Sequence, residues 1–391
     1  MKLNSGLIAL SVGAFGIGVT EFAPMGLLPV IATDLGVSIP TAGLLISAYA
    51  LGVMIGAPLM TLTTGRVPRR TLLILLAGIF TLGNLLAAVS TGYGMLLAAR
   101  IVTSLNHGAF FGVGSIVAAS LVPPERRAGA VAAMFMGLTI ANVVGVPLAT
   151  WAGEHLGWRT AFWGIAGLGV ATMAALRLTL PGLPAPKGGN ALAEMRVLTR
   201  GQVLGALALT VIGSSAMFTV FTYIAPILRE ATHASLGFVT AMLVTYGVGL
   251  TVGNWLGGRF ADRSVDRTLI VTLGGLTVIL IAFALSMSYI APTPIIIFLW
   301  GVASFALVPP LQVRVMTAAA DAPNLASSVN IGAFNLGNAI GAALGGGVIA
   351  SGLGYPAVAL AGAATSAIGL GAVLLAARRA PAPDDRQLCG T

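Results

Sequence analysis

The sequence is poor in charge. Of its 391 residues only 8% are Asp, Glu, Lys or Arg, where a soluble domain carries about 25%. So few charges cannot cover the surface of a water-soluble fold of this length, so that class is excluded. Cysteine is scarcer still. Cys389 in the tail is the only one, which excludes an intramolecular disulfide and a cysteine metal site. No nucleotide loop is present: the glycine strings GAFGIG and GGGVIA lie inside apolar runs, without a Walker lysine or a preceding strand. There is no nucleophile–base pair and no His/Cys/Asp/Glu cluster, so neither an enzyme nor a metal or other cofactor is expected. No cleavable leader is evident either, because the apolar run after Lys2 is long enough to span a bilayer and continues past Glu21.

Apolar residues are abundant, at 57%. A helix crosses a bilayer with about 20 of them. Twelve such runs can be drawn, at 6–31, 39–62, 71–90, 94–120, 129–152, 160–180, 203–225, 237–257, 268–288, 294–316, 325–349 and 356–377. They are continuous and have no period of two, so the fold class is an all-α membrane protein rather than a barrel. The net charge of +9 is scattered over short loops, which excludes a nucleic-acid patch. With the N-terminus inside, 17 of the 20 Lys and Arg residues fall on the cytoplasmic side, so both termini are expected there. One long polar segment, 181–202, is rich in Pro and Gly and divides the spans six and six. The expected organisation is a bundle over 1–180, a cytoplasmic linker over 181–202, a second bundle over 203–379 and a tail over 380–391.

The halves repeat. A shift of 197 residues places Tyr49, Gly52 and Gly56 on Tyr246, Gly249 and Gly253, and Arg66, Arg70, Thr71 and Leu72 on Arg263, Arg267, Thr268 and Leu269. Pro29 falls on Pro226. Two direct six-helix repeats related by an axis along the membrane normal are the architecture of major facilitator transporters. The chain resembles that superfamily over essentially its whole length. Within it, the resemblance is to the twelve-helix drug:proton antiporters and their bacterial sugar-efflux, arabinose-efflux and chloramphenicol-resistance branch. Four blocks carry the likeness: TEFAPMGLLPVIATDLGVSIPTAGLLISAYALGVMIGAP, GRFADRSVDRTL, RIVTSLNHGAFFG and GLTIANVVGVPLATWAG. The second resembles the G-x-x-x-D-R-x-x-R-R loop motif, the third the R-x-x-x-G motif and the fourth the antiporter motif of Gly137, Gly145 and Pro147. There are departures. Gly65 stands where the first-half loop motif usually has Asp, while Asp262 keeps the acid in the second half. The Gly that usually precedes the antiporter-motif Pro is absent.

Function is sought first at Glu21, which by these spans is the only carboxylate inside the membrane. An intramembrane acid is costly, about 2.5–3.5 kcal/mol on insertion scales, and is a functional-site candidate by default. It is expected either to bind the coupling proton or to serve as a strut paired with Arg100. Burial and a neighbouring guanidinium act on such a proton in opposite senses. His107 lies seven residues after Arg100 on the same helix face, and either relays protons or packs. Ser215, Thr219 and Thr222 form a hydroxyl stripe that either lines a cavity or bonds back to its own helix. The resemblance implies that helices 1, 4, 7 and 10 line the cavity. The expected cavity set is Glu21, Met25, Arg100, His107, Phe111, Asn142, Ser215, Phe218, Thr219, Thr222, Asn335 and Asn338, with Glu21 and His107 as the proton-coupling pair. The asparagines also suit interhelical hydrogen bonding. Arg66, Arg70, Gly137, Gly145, Pro147, Asp262, Arg263 and Arg267 are expected to control conformation.

The implied function is secondary export of small neutral or amphipathic solutes (sugars, sugar analogues or drugs) in exchange for protons. The resemblance places it in a bacterial inner membrane. Its partners would be the small-molecule substrate, protons and lipid, and it is expected to act as a monomer. Two alternatives stay open: an uncoupled facilitator or importer, and a membrane sensor that binds without transporting.

Overall fold

The computed structural model describes residues 4–64, 66–124, 127–182, 197–321 and 323–379. Most of the expected linker, 183–196, and the tail from 380 lie outside the described residues. Among the described residues there are twelve helices long and apolar enough to cross a membrane, and no strand. They are α1 (Ser5–Asp34), α2 (Ile39–Thr63), α3 (Arg69–Ala88), α4 (Tyr93–Ser120), α5 (Gly129–Leu156), α6 (Trp158–Thr179), α7 (Gly201–Ala231), α8 (Leu236–Ala261), α9 (Val265–Ser286), α10 (Thr293–Ala318), α11 (Pro323–Ala350) and α12 (Gly354–Arg379). All twelve expected runs are therefore helices. Consecutive helices run in opposite directions, so the bundle has a proximal end, where α1 begins, and a distal end, where α1 finishes.

Helix ends follow local chemistry. The Asn4 side chain accepts from Gly6 N at the start of α1, and Ser38 does the same for Thr41 N at the start of α2, satisfying otherwise orphaned amides. Two prolines shape helix interiors. Pro147 has no N–H to give to the carbonyl one turn back, and α5 widens into a π-turn over Ala141–Gly145 just before it. Pro226 likewise leaves the Thr222 carbonyl without its helical donor. There α7 breaks at Thr222–Tyr223, resumes at Ile224–Pro226 and ends in a second π-turn, Ile227–Ala231. Interruptions of this kind are tolerated at membrane depth where protein surrounds them.

Two large apolar cores hold the bundle, with a smaller cluster around Val203 and Val315. One is built from α1–α6, with Leu10, Leu73, Phe110, Trp158 and Phe162 among its members. The other is built mainly from α7–α12, around Phe218, Phe221, Tyr246, Phe283 and Trp300, and it takes in Phe22, Met25 and Leu28 of α1 and Ile46 of α2. The two sets of six thus share an apolar seam. α1 lies against α5 without a side chain between them, because a Cβ at Gly137 would run into the Ser11 carbonyl and the Phe15 amide. Across the seam, Gly247 of α8 sits against the Asn142 carbonyl of α5, and Ser47 of α2 donates to the Ala339 carbonyl of α11 at 3.2 Å. Contact loosens toward the proximal end. There the nearest Met54 atoms would be 3.8–4.0 Å from a Cβ at Gly332.

Candidate transport site

Five polar side chains from three helices converge in the first six-helix set. α1 carries Thr20 and Glu21, α2 carries Tyr49, and α4 carries Arg100 and His107 two turns apart on one face. All are buried: Glu21 is 7% exposed, His107 5%, Tyr49 2% and Arg100 1%. Arg100 does not ion-pair directly with Glu21. Its Nη1 donates to the Thr20 carbonyl at 2.7 Å, and its guanidinium lies 4.1 Å over the Tyr49 ring. The Thr20 hydroxyl in turn donates to Asn84 Oδ1 of α3 at 2.7 Å. The cation is thus fixed by a carbonyl and an aromatic face, within electrostatic reach of Glu21 but not bonded to it.

His107 lies beside Glu21, with Nε2 4.0 Å from Oε2. Nδ1 of the same ring is 3.1 Å from the Tyr49 hydroxyl. When that hydroxyl donates to Nδ1, the neutral imidazole carries its proton on Nε2 and presents it to Glu21. Tyr49 therefore touches both the Arg100 cation, through its ring, and the His107 imidazole, through its hydroxyl. Among the described residues Glu21 accepts no hydrogen bond, and Arg100 Nε and Nη2 are buried with no partner. The cluster has donor and acceptor capacity left over, which is what a site that exchanges ligands requires.

The remaining expected residues are distributed as follows. Phe111 sits 5.2 Å from the His107 ring and stacks on Phe135 at 5.0 Å. Phe218, the repeat counterpart of Glu21, lies 6.1 Å from the Phe22 ring and edge-on to Phe334 of α11. Met25 is buried in the apolar seam. Asn142 lies in the α5 π-turn and donates to the Leu138 carbonyl at 3.0 Å. Ser215 donates to the Gly337 carbonyl of α11 and Thr219 back to Ser215, while Thr222 Oγ1 is buried without a partner. Asn338 accepts from Ser214. Asn335 bonds Ile331 through Nδ2, and its Oδ1 is left unpaired. Gly137 and Gly145 pack on α1, and Pro147 follows the π-turn. At the proximal end Arg66 is exposed and Arg70 donates to the Arg177 carbonyl. Asp262 caps α8, Arg263 lies 5.9 Å from the Phe260 ring, and the Arg267 amide donates to Ser264.

One expectation is corrected. Glu21 is not the only acid within the twelve helices, whose end turns also hold Asp34, Glu154, Glu230 and Asp266. α5 extends to Leu156, past the expected end at 152, and carries Glu154 in its last turn. The Glu154 side chain is 4% exposed and both oxygens lack hydrogen bonds, but Arg229 of α7 lies 3.8 Å away, from the other six-helix set. α7 also runs on through its π-turn, which brings Arg229 out of the expected loop and into that position. A second pair at this distal end, Arg159 to Asp34 at 2.7 Å, stays within the first set. Glu154, Arg229 and Tyr49 are the site residues that sequence reasoning passed over. A carboxylate two residues beyond a run whose ends are uncertain by several was the available signal.

A twelve-helix bundle with two apolar cores and a buried acid–base–cation cluster near their seam defines a polytopic membrane transporter. The chain belongs to the Major Facilitator Superfamily, whose family model matches residues 10–330 and 207–389. It is 57% identical over 97% of its length, and 98% of the relative's, to the inner membrane transport protein YdhP of Escherichia coli K12. It is 34% identical to a chloramphenicol resistance protein of Streptomyces lividans, with 86% of each chain covered. In fold it is similar to a D-xylose–proton symporter, with a TM-score of 0.75, 15% identity and coverage of 97% and 98%. It is a multi-pass membrane transporter and not an enzyme.

Proposed function

We propose that the protein exports small neutral or amphipathic solutes across the bacterial inner membrane by alternating access, in exchange for protons bound at Glu21. The observation that carries this reading is a buried carboxylate with no hydrogen bond, 4.0 Å from His107 Nε2, whose nearby arginine is anchored on the Thr20 carbonyl instead. A permanent strut would place that guanidinium on the acid. Here the acid can take and release a proton without breaking a direct ion pair. The likeness to a chloramphenicol resistance protein supports an uncharged, amphipathic substrate. So does the chemistry on offer: aromatic faces at Phe22, Phe111 and Phe218, with spare hydrogen-bonding capacity on Arg100, Thr222 and Asn335.

In this cycle both termini and the proximal end face the cytoplasm, in keeping with the distribution of Lys and Arg. Units 1–180 and 203–379 rock about the site, joined by the 181–202 linker. The Glu154–Arg229 pair at the distal end and the wider Met54–Gly332 approach near the proximal end support an inward-facing reading of this state. Substrate enters as Glu21 loses its proton inward, and leaves outward as a proton returns. Each inward charge contributes about 2.3 kcal/mol per 100 mV, which is about fifty-fold in solute ratio.

The test uses proteoliposomes with chloramphenicol and a labelled pentose as probes. A pH gradient should drive probe accumulation by the wild type. Glu21→Gln should abolish that drive while saturable probe binding persists. Undiminished proton-driven accumulation by Glu21→Gln ends the reading. Saturable flux that ignores a protonophore in the wild type would instead establish the uncoupled facilitator.

A further inference from the structure

The two sets of six helices treat their proximal arginines differently. In the second set Arg200 pairs with Asp321 at 2.6 Å and Arg314 with Asp266. Asp266 also stands in the first turn of α9, where Ser264 caps the helix, so the positive end of the helix dipole meets an acid. In the first set the repeat lacks the acids of the second-set loop: the 197-residue shift puts Gly65 on Asp262 and Arg69 on Asp266. α3 accordingly opens with Pro68 at its cap, no side-chain cap bond, and Arg69 and Arg70 in its first turn. Among the described residues none of Arg66, Arg69, Arg70 and Arg177 has a carboxylate within 4.0 Å.

Two of these arginines border a cavity of about 750 Å³ between the start of α3 and the end of α6, lined by Pro68, Arg70, Thr71, Ile74, Leu75, Arg177 and Gly182. Arg70 holds the two helices together by donating through Nη2 to the Arg177 carbonyl, and its Nε is buried there with no partner. The Arg177 side chain is exposed. One end of the cavity is cationic. The other is apolar: Ile74 and Leu75 line it, and Leu75 is 55% exposed. Five residues of helix separate Arg70 from Leu75, about 7.5 Å of rise, so charge gives way to hydrocarbon over the depth at which a phospholipid headgroup gives way to its chains. Basic pockets between transmembrane helices at the membrane surface bind anionic headgroups.

We propose that this groove is a binding site for one anionic phospholipid, its phosphate between Arg70 and Arg177 and an acyl chain along Ile74 and Leu75. The lipid supplies the negative charge that Asp266 supplies to the second set, and it rests on the helix pair α3–α6, away from the Glu21 cluster.

The test is native mass spectrometry of the full-length protein released from detergent micelles, with phosphatidylglycerol and phosphatidylethanolamine added in turn. The wild type should retain one phosphatidylglycerol and at least tenfold less phosphatidylethanolamine. Arg70→Gln with Arg177→Gln should lower phosphatidylglycerol retention at least tenfold. Arg259→Gln with Arg263→Gln, which removes the same charge from the second set, should leave it unchanged. Glycerol 1-phosphate, the same phosphate without chains, should not displace the lipid at equal concentration. Three results each overturn the proposal: equal retention of both lipids by the wild type, equal loss in the two double variants, or displacement by glycerol 1-phosphate. The first and third are read on unmutated protein, so a variant that fails to fold does not protect the idea.

Discussion

The Glu154–Arg229 pair makes a prediction that separates a latch from an ordinary ion pair. It joins the two six-helix sets at the distal end, 3.8 Å apart, with the carboxylate 4% exposed and the guanidinium 38% exposed. At about 4 Å two unit charges attract by about 1 kcal/mol in water and about 4 kcal/mol at an effective dielectric constant of 20. The half-wet arginine places the pair nearer the lower figure, at about 1–3 kcal/mol once screening is allowed for. In the proposed cycle the two sets part at the distal end, so that energy belongs to the conformational equilibrium. Glu154→Gln should shift it toward distal-open by about fivefold to a hundredfold. The assay is the distance distribution between nitroxides at exposed Ser38 and Ser351, on the α1–α2 and α11–α12 loops, in a background lacking Cys389. The expected result is a long-distance population that grows in Glu154→Gln and in Arg229→Gln and shrinks in the charge-swapped double variant. The control is Asp34→Asn, which removes the tighter 2.7 Å pair within the first set and should lower thermal stability without moving the distribution. An unchanged distribution in Glu154→Gln, or an equal change in Asp34→Asn, refutes the reasoning.

Further outcomes follow from the site and the seam. Arg100→Met should lower the melting temperature, losing a charge-assisted hydrogen bond of about 1.5–3 kcal/mol and a buried cation–π contact of about 2 kcal/mol. A thermal melt in detergent checks it, and Arg100→Lys should recover less than half, because an ammonium cannot reach the carbonyl and cover the ring with one planar group. Tyr49→Phe should alter the pH profile of probe transport while keeping the melt near that of the wild type, since it removes the hydroxyl at His107 Nδ1 but leaves the ring under Arg100. Gly247→Ala should drive the distal-end distance distribution outward, because the new methyl meets the Asn142 carbonyl across the seam. Asn330→Leu should cost about 1–3 kcal/mol for each partner it strands: Asn330 links Thr210, at 2.8 Å, to Gln312, at 2.6 Å, inside the second set, and chemical denaturation would measure it.

How far the sequence could be read depended on whether the signal was collective or individual. All twelve spans were legible because about twenty residues of hydropathy vote on each one. Glu21, Arg100 and His107 were legible as candidates because a lone polar group in such a run stands out. Their arrangement was not. Whether Arg100 meets Glu21 or the carbonyl one residue earlier is decided by a side-chain torsion and by where the Tyr49 ring lies, and no periodicity encodes either. Helix ends were harder. A stop at 225 for α7 follows from Pro226 and the polar residues after it, yet the helix continues, because a π-turn accommodates what an α-helix cannot. The same few residues of error hid Glu154. The hydroxyl stripe of α7 shows a third kind of limit: the pattern names one face of a helix, but the neighbouring backbone of α11 decides where Ser215 points.

Phe22 and Phe218 touch near the middle of the bundle, and Phe218 is the repeat counterpart of Glu21. The residue beside one position and that position's repeat counterpart therefore meet at the seam between the two sets. A site there is reached equally from both copies, so one carboxylate can serve the whole molecule and its twin position is free to become an aromatic wall. The chemistry thus sits in one copy and the surface it works against in the other. Exchanging them, with Glu21→Phe and Phe218→Glu together, asks whether the division of labour belongs to the residues or to the halves that hold them.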